Sequence, residues 1–302
     1  MTVWLAVAAG LISAGGPAAA HAGGLTATDA QGTVVSVSPA VPGLTVEAIE
    51  NGARLRLHNA TATPVTVSPG GGTATPAVAA PGTTLTWMDT RCTPDGRSVA
   101  PGAVVPWTIT LTAGGTPVTV TGVLTGGRPP LSPLWWAAVL AVAAAVVLLA
   151  RRSRAATGSA RRLAKRGDLL LAACGTVAAV ASIGHVAGST LAVESAPMAG
   201  TFLSAAGINL LAWPLILGGA WTTLRGRAAG VLAVCAGAAL TAVFVLPDVT
   251  AFHRAVLPFA GAANVERALV VVALGLGTGV AVAGAGVLRD LAARQSTSPG
   301  PS

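Results

Sequence analysis

Hydrophobic and polar residues alternate through the first part of this chain and separate into long apolar blocks through the second. Between about residues 26 and 125, short runs with a period of two are punctuated by Gly, Pro, Asn and Asp, the pattern of half-buried strands joined by tight turns. In the stretch 53–59, Ala53, Leu55 and Leu57 share one face, and Arg54, Arg56 and His58 the other. Asn51-Gly52 just before it favours the positive φ angles of a type I′ hairpin with residues 44–50. Further on, Val105, Trp107, Ile109 and Leu111 alternate with Pro106, Thr108, Thr110 and Thr112, and Gly114-Gly115 turns the chain back through residues 117–124. The spacing predicts about seven strands, the count of an immunoglobulin-like β-sandwich with Trp87 and Trp107 in its core. Gly70-Gly71-Gly72 and residues 94–102 read as loops.

The apolar blocks are residues 134–150, 169–192, 201–221, 228–246 and 268–288. Each holds about 17 to 24 residues, enough at about 1.5 Å per residue to cross a hydrocarbon core of about 30 Å. The expected fold class is therefore a membrane protein of α plus β type, an N-terminal β-sandwich followed by a five-helix transmembrane bundle. Arg128-Pro129-Pro130 is a stiff joint between the two, and Trp135-Trp136 fits an interfacial aromatic belt. Pro214 predicts a kink in the third span. Gly275, Gly277 and Gly279 in the last span suit close helix packing.

Composition agrees with this division. At 53% hydrophobic and 9% charged residues, with a mean hydropathy of +0.71, the chain departs from an ordinary soluble fold. The net charge of +8 is a question of location. Residues 23–132 are neutral, with five arginines against five carboxylates, while eleven of the eighteen Lys and Arg fall in segments that the five spans would leave on one side. That asymmetry predicts a cytoplasmic side with affinity for anionic lipid, and no nucleic-acid partner. Residues 1–22 read as a signal peptide with a small-x-small site at Ala20-His21-Ala22, although the segment before the apolar run carries no Lys or Arg. The expected organisation is a signal peptide at 1–22, an extracytoplasmic β-domain at 23–130, a membrane domain at 131–290 and a disordered cytoplasmic tail at 291–302.

Chemistry-bearing residues are few. Met88 and Cys92 are candidate metal ligands of the soft kind that copper prefers, with Asp89 and His58 as further candidates; a surface methionine and an unpaired thiol are the plainer reading. Within the spans, His185 and Asn209 are the candidate polar site, at depths of about 10 and 12 Å from the outer ends, where they could meet. An interhelical hydrogen bond is the plainer role. Cys174 and Cys235 come at similar depths from the inner side and read as packing residues. Asp248, His253 and Glu266 belong to the last outer loop, where charges face headgroups or water. No nucleophile triad, phosphate-binding glycine loop or zinc-protease motif is present in the sequence, so no enzymatic activity is expected.

Pro42-Gly43-Leu44-Thr45-Val46, Arg54-Leu55-Arg56-Leu57, the stretch from Trp87 to Arg91, Trp107-Thr108-Ile109 and Val118-Thr119-Val120-Thr121-Gly122 together resemble a group of actinobacterial exported multi-pass membrane proteins. The likeness continues through Gly184-His185-Val186-Ala187-Gly188 and Leu257-Pro258-Phe259. It implies a β-sandwich ectodomain on five spans and brings no assigned reaction. In that group the tryptophan is often followed by His-Asp-His-Arg, a pattern suited to a metal or a proton. This chain has Met88-Asp89-Thr90-Arg91 there, which keeps only the carboxylate and the arginine, a pair expected to order a loop.

These readings lead to an integral protein of the cell envelope whose exported β-domain has a binding or accessory role, with the lipid bilayer and other membrane or envelope proteins as partners and copper as the metal to consider. The competing expectation is a transporter moving a small solute, copper or a proton past His185 and Asn209.

Overall fold

Strand pairing follows the two turn signals. In the computed structural model, which describes residues 22–68, 70, 76–155 and 160–296, β1 is Ala30–Ser38, β2 Leu44–Ile49, β3 Arg54–Asn59, β4 Val65–Val67, β5 Ala77–Ala79, β6 Thr83–Trp87, β7 Val104–Ala113 and β8 Thr116–Gly126. The signal segment 1–21, Gly71-Gly72 and residues 297–302 lie outside the described residues. Asn51 (φ 59°, ψ 22°) and Gly52 (φ 90°) make the expected type I′ turn, closed by Ala53 N–H donating to Glu50 O at 3.1 Å. At Gly114-Gly115 the strands likewise remain in register to the Ala113 and Thr116 pair.

All the strand pairings are antiparallel, in a five-stranded sheet of order β1-β8-β7-β4-β5 and a three-stranded sheet of order β2-β3-β6. Alternate residues of both sheets meet in one core. Leu55, Leu57 and Trp87 come from one side, and Val65, Ile109, Leu111, Val118, Val120 and Leu124 from the other, with Trp107 buried among them. Trp107 pairs with Gly122 across β7 and β8, and its indole fills the space that a Cβ at Gly122 would need. There are eight described strands where the spacing predicts about seven, and two of them, β4 and β5, are only three residues each.

The helices are α1 Ser132–Ala155, α2 Ala160–Leu191, α3 Met198–Ala206, α4 Asn209–Leu224, α5 Ala228–Val245 and α6 Ala263–Ser296, with a 3-10 segment at Leu246–Phe252. Among the described residues, four helices are long and apolar enough to cross a membrane, and α3 with α4 forms a pair that could serve as a fifth span, bent by 71°. This corrects the expectation of one continuous third span kinked at Pro214. α4 runs through Pro214, and the break lies earlier, at Gly207 (φ +48°), which faces the ring of Phe244. The tail is corrected too: residues 291–296 are helical and continue α6. Gly275 and Gly279 of α6 face Val142 and Val146 of α1, while Gly277 faces Ala238 and Ala242 of α5. Successive glycines thus seat one helix against two neighbours.

Candidate functional site

The β-domain is fastened to one end of the bundle. Strand β1 is preceded by Leu25, which packs with Val186, Ala206 and Trp213. Thr28 and Val256 exchange two backbone hydrogen bonds of 2.9 Å, and Arg254 forms an ion pair with Asp29. Asn51 Nδ2 donates to Leu257 O at 3.1 Å. The β2-β3 turn adds a buried carboxylate: Glu50 Oε1 accepts the backbone N–H of Glu194 at 3.0 Å and of Ser195 at 2.9 Å, and Oε2 pairs with Arg54. Arg56 bridges Glu47 at 2.9 Å and Glu194 at 3.0 Å. Burial lowers the Arg56 pKa somewhat, but its hydrogen bonds and attraction to both glutamates outweigh that and raise it. Glu50 has φ 55°, a region that a glutamate visits at a cost, and the three contacts of its carboxylate hold it there.

Close to this junction the bundle buries a cluster of titratable side chains. His185 on α2, about six residues before the helix end and so about 9 Å deep, is 6% exposed. Its Nδ1 is 2.6 Å from Glu266 Oε1 and its Nε2 is 3.0 Å from Asp248 Oδ2. Asp248 comes from the 3-10 segment and Glu266 from the first turn of α6, and each is 3% exposed. Their burial corrects the expectation that these charges face headgroups or water. The buried imidazole supplies the partner that makes burial of both carboxylates tolerable. Arg267, also buried, donates at 2.8 Å to Ala251 O, Arg254 O and Asn264 Oδ1, closing the segment over the cluster.

Both His185 contacts are at hydrogen-bond distance, so each needs a proton. A neutral imidazole donates from one nitrogen only. Filling both contacts with hydrogen bonds therefore takes one proton more than a neutral histidine between two carboxylates supplies.

The other candidate residues are placed apart. Asn209, at the first position of α4, is buried, and neither polar atom of its amide has a hydrogen-bond partner among the described residues. Thus no hydrogen bond joins it to His185, whose ring nitrogens are taken by the carboxylates. Met88 is 54% exposed, whereas Cys92 is 3% exposed in the sandwich core with its Sγ 3.5 Å from Asp89 O. The two therefore do not converge: the turn at residues 90–92, closed by Cys92 N–H donating to Asp89 O at 3.1 Å, leaves the thiol buried. Burial, aided by the Asp89 charge, pushes the Cys92 thiol up to about 12. His58 is exposed on the strand face with its Nδ1 3.0 Å from Thr84 Oγ1. Cys174 and Cys235 pack against the inner cluster of the bundle. No group of three His, Cys, Asp or Glu among the described residues is arranged to hold a metal ion. In the His185 trio the ring stands between the carboxylates.

Asp89 and Arg91 form a two-pronged pair, with Nε to Oδ1 at 2.9 Å and Nη2 to Oδ2 at 2.7 Å, and Arg91 also donates to Ser68 O at 2.8 Å. This pair ties the loop after β6 to the chain after β4. Comparison of the chain with protein families, with curated proteins and with solved structures finds no significant match.

Proposed function

We propose that this chain is a non-enzymatic, multi-pass protein of the cell envelope whose immunoglobulin-like β-sandwich lies outside the cytoplasm and acts as a binding or accessory module. The observation that carries this reading is the Glu50 anchorage. A module fixed by a buried carboxylate to the loop between two helices presents its surface at one height and one orientation above the bilayer, whereas a tethered module would not. Glycine-seated contacts among α1, α5 and α6 suit an anchor. The arginine asymmetry supports the orientation, since Arg151, Arg152, Arg225, Arg227 and Arg289 lie at helix ends remote from the β-domain in the helix order. Other envelope or membrane proteins are the partners this reading implies.

A second reading, transport of a small solute or proton, is favoured by the α3-α4 break, because discontinuous spans place polar backbone and side chains at membrane depth. Asn209 lies at that break, and Thr241 Oγ1 on α5 is also buried without a hydrogen-bond partner among the described residues.

The test is reconstitution of the full chain in phospholipid vesicles loaded with a pH-sensitive dye, with copper uptake measured in parallel. The anchoring reading expects flux no greater than that of empty vesicles; flux abolished by Asn209→Leu establishes transport instead. Orientation is read by impermeant maleimide labelling of Ser98→Cys in intact cells. Labelling only after lysis overturns it.

A further inference from the structure

One segment of chain joins the buried His185 cluster to the β-domain. Residues 246–262 begin with the 3-10 turn that carries Asp248 and end just before α6, whose first turn carries Glu266, so a single imidazole pins the segment at both ends. Between those ends Val256 pairs with Thr28, Arg254 with Asp29, and Leu257 O accepts from Asn51. Ala260 N–H donates to Gly188 O of α2 at 3.0 Å, and Phe252 stacks on Trp135 and meets Trp136 of α1 edge-on.

We propose that His185, Asp248 and Glu266 form a proton-binding site whose occupancy fastens residues 246–262, and with them the β-domain, to the bundle. The inference does not depend on whether the bundle anchors or transports, because the proton binds and leaves without having to cross.

The proton count gives the direction. With its extra proton, both contacts of the ring, to Asp248 and to Glu266, are hydrogen bonds. The remaining charged or titratable groups near it are committed elsewhere: Arg254 to Asp29, and His253 Nδ1 to Ser132 Oγ at 3.0 Å. Lys165, Arg166 and Asp168 sit near the opposite end of α2, and Arg225 at the far end of α4. When the proton leaves to solvent, two carboxylates face a neutral ring that donates to only one of them, and the other contact of the ring is no longer a hydrogen bond. Separated in water, the same three groups hold no extra proton above the ordinary imidazole range. The fastened state therefore binds more protons than the released state there, and alkaline pH weakens it.

The variant that isolates this mechanism is Glu266→Gln. A glutamine amide can donate to Nδ1 while Nε2–H donates to Asp248, so both contacts survive with no extra proton. The experiment is hydrogen–deuterium exchange of the full chain in phospholipid nanodiscs across a pH series, corrected for intrinsic exchange, reading the Thr28 and Val256 amides. The sandwich amides of Leu57 and Val120 serve as the internal control. Wild type should lose protection at Thr28 and Val256 at alkaline pH by roughly tenfold or more, the factor one hydrogen bond to a charged group supports, while Leu57 and Val120 hold. Glu266→Gln should remain protected throughout. Protection that is independent of pH in wild type, or a pH-dependent loss that persists unchanged in Glu266→Gln, overturns the proposal. Proton flux in the vesicle assay would refute the anchoring reading and leave this one standing.

Discussion

The Glu50 carboxylate accepts the backbone N–H of Ser195 at 2.9 Å across 145 residues of sequence, and this contact helps to set how the β-domain stands on the helices. Replacing Glu50 with Ala orphans two amides and removes the ion-pair partner of Arg54, which keeps its hydrogen bonds to Ser195 Oγ and Gly23 O. The expected loss is about 1.5–3 kcal/mol, the scale of a hydrogen bond to a charged group. It should be read as a lowered Tm of the full chain in detergent together with faster proteolysis near residue 195. Glu50→Gln keeps an acceptor and should lose less. Wild-type resistance in Glu50→Ala would remove the carboxylate from the junction.

Helix seating makes a paired prediction. A Cβ at Gly279 would lie 2.8 Å from Val146 Cβ and 2.9 Å from Ala143 O, whereas one at Gly218 would meet nothing within 4 Å. Gly279→Leu should therefore destabilise the bundle by about 1–3 kcal/mol through overpacking, and Gly218→Leu should leave it unchanged or firmer. Thermal unfolding of both variants in the same detergent decides this. Equal effects would mean that α1 and α6 are not in contact at that level.

Acid sensitivity of the sandwich should centre on Asp89. Burial alone would raise its pKa, but the Arg91 side chain, the Arg91 N–H and the Gly70 N–H stabilise the carboxylate and hold it below the usual range. A group depressed in the folded state contributes stability above its unfolded pKa and loses it as pH falls through the folded value. Asp89→Asn should therefore flatten the acid limb of stability measured by Trp fluorescence, and lower stability at neutral pH. An unchanged acid limb would place the titrating group elsewhere.

Cys92 should be inert to maleimide in the native protein at neutral pH, because the thiolate is the reactive form and the buried thiol is pushed up to about 12. Peptide mapping after labelling, with and without denaturant, separates Cys92 from Cys174 and Cys235. Met88, exposed beside it, should oxidise readily under mild peroxide. Rapid native labelling of Cys92 would show that the loop after β6 opens.

Local chemistry was legible in the amino-acid sequence, and long-range partnership was not. Asn51-Gly52 and Gly114-Gly115 announce their turns because the positive φ angles are a property of those residues themselves. The alternation around Leu57 and Ile109 announces a buried strand face, and the apolar blocks announce helices of spanning length, since hydropathy and period are local too. The glycines of α6 announce close packing, though not that alternate ones face different helices. Asp248 and Glu266 look like ordinary outer-loop charges until His185, distant in sequence, is brought between them. Glu50 likewise looks like a solvated turn residue until the loop after α2 offers it two amides. The break at Gly207 was hidden because a glycine in an apolar run is equally compatible with a straight helix, and only the Phe244 ring packed against it shows where the chain turns. The sequence alone determined which segments are strands and which are apolar enough for lipid, because both depend on each residue's own preference for water and backbone angle. Tertiary structure decided which charges are buried, because a buried charge persists only where another part of the chain supplies its counter-charge or its hydrogen bond.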